Sequence, residues 1–330
     1  MKVCVVGAGA IGGFLGTRLA LSGHPSSAVA RGATLEALRI HGWRLRLDGE
    51  LCTAPVHAVA DTAPDVAALG HQDLVVLAVK APALTAVARI VGPLLGPDTL
   101  VLPAMNGVPW WFLDGFGGSV AGTRLASVDP EGAVGAAIPT AQVIGCVVHA
   151  TCSVLQPGLV EHGFGHGLIV GEPGGGESAR VGVLADLLGR AGFEVTVSPR
   201  IRADIWYKLW GNMTMNPVSV LTGASCDLIL DDPLVNRFCL AVMREAAETG
   251  ARIGCPIDQT GEDRNAVTRK LGAFKTSMLR DAETGKPLEL DALLTAVAEI
   301  GQRTGTPTPF IDALLGLTRL NARVRGLYPW

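Results

Sequence analysis

Apolar residues in this chain change their spacing part-way along it. Up to about residue 198 they fall into short runs: Val3-Cys4-Val5-Val6, Ala28-Val29-Ala30, Asp73-Leu74-Val75-Val76-Leu77-Ala78-Val79, and residues 100–105. Continuous apolar runs of this length predict strands buried on both faces, the habit of a parallel sheet. Positions 11, 14, 15 and 19 instead carry Ile, Phe, Leu and Leu, a helical spacing that ends at Ser22-Gly23, and residues 178–190 form a second helix. Residues 43–47 alternate around Arg44 and Arg46 and predict an edge hairpin. Short extended runs at 143–154, 159–161 and 168–170, broken by Pro157-Gly158, predict antiparallel strands at the sheet edge, with a last strand at 193–197. Helical periodicity then takes over at 201–217, 233–252, 262–278, 288–303 and 310–320. The predicted organisation is an α/β domain over residues 1–198 and a smaller, mostly α-helical domain over 199–330.

The first strand runs straight into Gly7-Ala8-Gly9-Ala10-Ile11-Gly12 and then a helix. Strand, GxGxxG turn and helix in that order form a dinucleotide-binding fingerprint. Gly7 makes the turn, Gly9 admits a pyrophosphate to the backbone, and Gly12 lets helix and strand pack closely. The helix start then offers amide donors and a positive dipole end to the phosphates. After the second strand, whose start is obscured by Pro25-Ser26-Ser27, the chain reads Arg31-Gly32. An NAD site usually carries an acidic residue there for the ribose hydroxyls. An arginine suits a 2′-phosphate, which favours NADPH. Lys80 and Asn106 follow two further strands, at the ends where open α/β sheets bind ligands.

The stretch at 201–217, IRADIWYKLWGNMTMNP, puts Lys208, Asn212 and Asn216 four residues apart on one helix face, bounded by Trp206, Trp210, Met213 and Met215. Read alone it is equally a solvated face with a capping Asn before Pro217. As a site, it suits a ketone reduction: a lysine shielded by the two tryptophans has its pKa lowered and can protonate the nascent alkoxide, while the two amides hold polar substrate groups without adding charge. Ser277 and Glu289 stand further on, and taken alone they read as surface residues. All seven histidines precede residue 199, so an acid or base from the helical domain must be another residue type. His162 and His166 lie in an extended, glycine-rich stretch where a four-residue spacing does not bring imidazoles together, so no metal is expected. His149 remains a candidate acid, and Tyr207-Lys208 is not a YxxxK pair.

Composition narrows the classes. A net charge of −3 gives no general pull toward nucleic acid or anionic membrane. Seven cysteines, scattered and never at CxxC spacing, read as reduced thiols of a cytoplasmic protein. Apolar reaches such as 74–95 are interrupted by Lys80, Arg89 and prolines, and residues 3–6 enter a glycine turn, so neither a membrane span nor a signal peptide is expected.

Taken together, GAGAIGG at 7–13, Ala30-Arg31-Gly32, Val79-Lys80-Ala81, Asn106-Gly107, Pro157-Gly158 with Val160 and His162, the 201–217 helix, Ser277-Met278-Leu279-Arg280-Asp281 and Glu289-Leu290-Asp291 resemble the ketopantoate reductases (2-dehydropantoate 2-reductases, the PanE/ApbA family) over nearly the whole chain. The resemblance implies a Rossmann-like nucleotide-binding domain, a helical second domain, and an active site in the cleft between them. It implies reduction of 2-dehydropantoate to (R)-pantoate with NADP(H), on the route to pantothenate and coenzyme A, by a monomer or homodimer. By the same resemblance Lys208 is the general acid and Glu289 a catalytic carboxylate near the substrate hydroxyl. Asn212, Asn216 and Ser277 bind substrate. Gly7, Ala8, Gly9, Ala10, Ile11, Gly12, Arg31, Lys80 and Asn106 contact the cofactor.

The chain departs from the family in places. Val108-Pro109-Trp110-Trp111-Phe112 replaces small and polar residues after Asn106-Gly107, Phe274-Lys275 replaces more polar ones, and Ala292 and Ala296 stand where the family tends to carry Asn and Gly. If the aromatic run faces the cleft, the acceptor is a bulkier 2-oxo or 2-hydroxy acid; if it packs behind the loop, it is core. A non-catalytic NADP(H)-sensing protein is the reading from a different class, and it has little use for an amine and two amides on one face.

Overall fold

The computed structural model describes every residue from Met1 to Trp330, and its first strand, β1 (Val3–Val6), is buried on both faces, as an uninterrupted apolar run requires. There follow α1 (Ala10–Leu21), β2 (Ser26–Val29), α2 (Gly32–His41), the hairpin of β3 (Trp43–Leu47) and β4 (Glu50–Ala54), and β5 (Val59–Ala60). Then come α3 (Ala63–Leu69), β6 (Gln72–Leu77), α4 (Leu84–Val91) and β7 (Leu95–Pro103). One all-parallel sheet results, ordered β5-β2-β1-β6-β7. β2 begins earlier than its apolar residues suggested, because Ser26 and Ser27 are themselves buried strand residues, and the Ser26 hydroxyl donates to the His24 carbonyl at 2.9 Å.

Beyond α5 (Ala133–Ala137), the strands β8 (Gly145–Gln156) and β9 (Leu159–Gly171) pair antiparallel, followed by α6 (Ala179–Arg190) and β10 (Glu194–Val197). They do not extend the first sheet, as the sequence suggested. They form a second one, ordered β10-β9-β3-β4 with β8 also on β9, which takes in the 43–54 hairpin. Run length identifies a strand but not the sheet it joins; here the partner is chosen by α1. That helix is apolar nearly all round and packs against both sheets, which is what such a surface demands. A Cβ on Gly13 would stand 2.5 Å from Val160 of β9, and one on Gly16 would stand 2.5 Å from the ring of buried Trp43 of β3.

The remaining elements are helical: α7 (Ile201–Thr222), α8 (Cys226–Asp231), α9 (Pro233–Arg252), α10 (Gly261–Arg269), α11 (Ser277–Glu283), a π-helical turn (Asp291–Thr295), α12 (Ala296–Thr304) and α13 (Pro309–Val324). α7 runs on through Pro217, which does not end it. The helix expected over 262–278 is two helices: α10 stops at Arg269, Gly272 takes φ +61°, and the Thr276 hydroxyl caps α11 by accepting the Leu279 N–H at 3.1 Å.

Contacts divide the chain into two compact units, Met1–Met105 with Glu131–Asp204, and Asn106–Pro130 with Ile205–Trp330. The sequence reading put one boundary at 198/199; the contacts divide the chain at 204/205 and group 106–130 with the helices, which no local pattern announces. Side chains on the helices hold that segment there. Glu299 accepts the N–H groups of Ala126 and Ser127, each at 3.0 Å, and Phe112 stacks on Trp206 at 5.8 Å.

Candidate active site

In the first unit the strand register brings three loops to one edge. Val6 of β1 lies beside Val29 of β2 and Leu77 of β6, so the Gly7 turn, Arg31 and Lys80 all follow the same end of adjacent strands. Gly7 adopts φ +95°, and a Cβ there would stand 2.7 Å from Val79 and 2.8 Å from the Ala78 carbonyl oxygen. A Cβ on Gly12 would collide with the Gly7 carbonyl oxygen, whereas one on Gly9 would meet nothing within 4 Å. The turn is therefore tight behind and open in front, the shape a pyrophosphate cradle needs. α1 starts there with no side-chain cap, leaving amides of Ala10, Ile11 and Gly12 directed outward from the helix start. Arg31 is exposed at the N-cap of α2 and makes no ion pair.

The second unit gathers the other group. Lys208 of α7 is half-buried, and its Nζ donates to Asn106 Oδ1 at 2.9 Å. Asn106, read from sequence as a nucleotide contact, is thereby joined to the proposed acid. Gly107 holds that tip: at φ +84° its missing Cβ would stand 2.5 Å from the Ala292 carbonyl oxygen, which accepts the Val108 N–H at 2.8 Å. Glu289 lies three residues before Ala292, just ahead of the π-helical turn, so the 106–108 tip docks on the segment that carries the carboxylate. Asn212 and Asn216 share the Lys208 face, and neither carboxamide bonds within the protein. Ser219 Oγ lies 2.7 Å from Thr276 Oγ1, which sets the start of α11, and with it exposed Ser277, beside the end of α7.

Two expectations need correction. Trp206 and Trp210 do not shield Lys208. They stand two residues to either side of it, about 200° away around the helix, and their indole N–H groups donate to the Ala246 and Met243 carbonyls of α9 at 3.2 and 2.7 Å. They fix α7 from behind. His162 and His166 do come together, their rings stacked 4.3 Å apart, because β9 is irregular around Gly165 at φ +79°. Phe14 stacks on His162, and Arg18 Nη1 lies 3.3 Å from His166 Nδ1. Burial, the neighbouring His162 and then Arg18 hold the His166 pKa below its usual value. A cation against the pair argues against a metal there. His149 is an exposed residue of β8.

The aromatic run is core: Trp110, Trp111 and Phe112 are 6%, 1% and 0% exposed. A cavity of about 350 Å³ lies on α9 and α10 between Asn236, Glu262, Asn265 and Arg269, and none of the candidate site residues lines it.

A parallel sheet with a GxGxxG turn after its first strand in one unit, and a lysine with two unbonded amides on one helix face in the other, are features of a nucleotide-dependent oxidoreductase. Residues 3–175 match the ketopantoate reductase PanE/ApbA family model, and residues 200–322 match the model for its C-terminal domain. The chain belongs to the ketopantoate reductase family. It is 45% identical over 329 residues to a 2-dehydropantoate 2-reductase of Mesorhizobium japonicum, covering 99% of this chain and all of that one. A crystal structure named for a ketopantoate reductase of Ralstonia solanacearum is 59% identical, covers 99% of both chains and superposes with a TM-score of 0.94. A D-mandelate dehydrogenase solved with NADH and anilino(oxo)acetate shares the fold, at TM-score 0.84 and 20% identity over 99% of this chain. Membership of this reductase family implies a nicotinamide cofactor. No helix is long and apolar enough to cross a membrane.

Proposed function

We propose that this protein reduces 2-dehydropantoate to (R)-pantoate with NADPH, as a cytoplasmic enzyme of pantothenate synthesis. The observation that carries the reading is the Lys208–Asn106 hydrogen bond beside two carboxamides that bond nothing else. A half-buried polar face of this kind is costly unless a ligand completes it. The nicotinamide ring, when bound, supplies a hydride. Residues 7–12 hold the pyrophosphate through backbone amides, Arg31 takes the 2′-phosphate, and Lys80 contacts the nucleotide from the neighbouring loop. Lys208 orients the keto oxygen and delivers its proton to the alkoxide, while Asn106 accepts from the same amine and aims it. Asn212, Asn216 and Ser277 hold the polar groups of the acid, and Glu289 takes its hydroxyl.

A bulkier acceptor loses its support, because the aromatic run that suggested one is buried. The test is NADPH oxidation with ketopantoate beside bulkier and aromatic 2-oxo acids, repeated with NADH. Ketopantoate with NADPH should give by far the highest kcat/KM. A higher value for a bulkier acid would overturn the substrate, and equal values with NADH would overturn the cofactor.

A further inference from the structure

α7 contains a glycine in mid-helix, Gly211, between Trp210 and Asn212, where alanine would favour the helix by about 1 kcal/mol. Arg264 explains it. The guanidinium of this α10 residue lies across the Gly211 backbone, with Nη2, Cζ and Nε at 2.6, 2.8 and 3.0 Å from where a Cβ would stand. It sits 5.5 Å from the Tyr207 ring centroid, and Nη1 donates to Thr268 Oγ1 at 3.1 Å. No carboxylate pairs with it, Nε is buried without an acceptor, and Nη2 makes no hydrogen bond. Burial accordingly lowers its pKa. Removing a cation from water without a counter-ion costs several kcal/mol, so the arrangement is built for an anion that arrives from outside.

Its place says which anion. At about 100° per residue Tyr207 and Gly211 lie to one side of Lys208 and Asn212 and Asn216 to the other, so the guanidinium borders the amine on the side away from the amides. We infer that Arg264 binds the carboxylate of the 2-oxo acid while Lys208 takes the adjacent keto oxygen. Carboxylate and ketone stand on neighbouring carbons, so a guanidinium beside Tyr207 and Gly211 is placed to take the first while the Lys208 amine takes the second. The arginine is thus a specificity-determining residue, separating 2-oxo acids from neutral ketones. Gly211 is the positioning residue that lets it reach. This inference rests on the reductase reading above.

The test compares ketopantoate with its uncharged lactone in the full-length enzyme. Arg264→Gln should raise KM for the acid roughly 100-fold, leave KM for the lactone and for NADPH within about twofold, and Arg264→Lys should recover part of the loss. Gly211→Ala, which displaces the guanidinium and keeps its charge, should show the same selective loss. Equal losses on acid and lactone with a lowered Tm would make Arg264 a structural clamp and overturn the inference. So would an unchanged KM for the acid, or a rise in KM confined to NADPH. These outcomes leave the reductase reading standing if the wild-type enzyme reduces ketopantoate; a wild-type enzyme inert on every 2-oxo acid overturns that reading and this inference together.

Discussion

The glycine turn after β1 and the polar face of α7, the two proposed binding regions, are built in opposite ways. In the turn the backbone makes the site, and the space comes from missing side chains: Gly12 cannot carry a Cβ without striking Gly7, while the side of Gly9 is clear. On α7 the side chains make the site and the backbone is an ordinary helix, held from behind by two tryptophans bonded to α9. A backbone site tolerates almost no addition but is indifferent to most neighbours. A side-chain site tolerates repacking but depends on a few functional groups.

That contrast predicts how each region fails. Lys208→Ala should leave the fold and NADPH binding intact and lower kcat by about 10²- to 10⁴-fold, measured by steady-state NADPH oxidation. A loss within tenfold would remove Lys208 from the chemistry. Arg31→Ala should raise KM for NADPH about 10- to 100-fold and leave KM for NADH nearly unchanged. Equal effects on both cofactors would break the 2′-phosphate assignment. Phe112→Ala, in the core that joins 106–130 to α7, should cost about 3–5 kcal/mol of unfolding free energy without changing the ranking of acceptors. A changed ranking would return the aromatic run to the site. The smallest effect belongs to the His162–His166 stack, whose His166 pKa is depressed in the fold. The unfolded imidazole then binds its proton at higher pH than the folded one. Its contribution to stability is complete above the ordinary histidine pKa of about 6.5 and falls as pH drops from there toward the folded pKa. Thermal scans between neutral and mildly acidic pH should show a smaller decline for His166→Gln than for the wild type.

The same contrast explains what could be read in advance. The GxGxxG turn was legible because its logic is local: a strand, three glycines and a helix are adjacent in sequence and fix one another's geometry. The Lys208, Asn212 and Asn216 face was legible because a four-residue spacing defines a helical stripe. What the sequence hid is non-local. Nothing at 106–130 announces that Glu299, more than 170 residues on, holds its amides. The side of α7 from which the tryptophans project follows from helix geometry and could have been read; that they dock on α9 could not. The histidine stack depends on an irregular β9, which a pattern of single residues does not show. Arg264 left one trace, the glycine at 211 in an otherwise good helix, and its cause stands 53 residues away.

In the proposed division of labour the turn after β1 binds nucleotide and the α7 face does chemistry. The most direct measurement is the equilibrium Kd for NADPH of Gly12→Ala and Lys208→Ala beside the wild type, with single-turnover rates at saturating ketopantoate. Gly12→Ala should weaken NADPH binding by at least roughly tenfold, while Lys208→Ala should bind as the wild type does and turn over at a small fraction of its rate. A Lys208→Ala enzyme that loses NADPH but reacts normally once loaded, or a Gly12→Ala enzyme that binds normally, would contradict it.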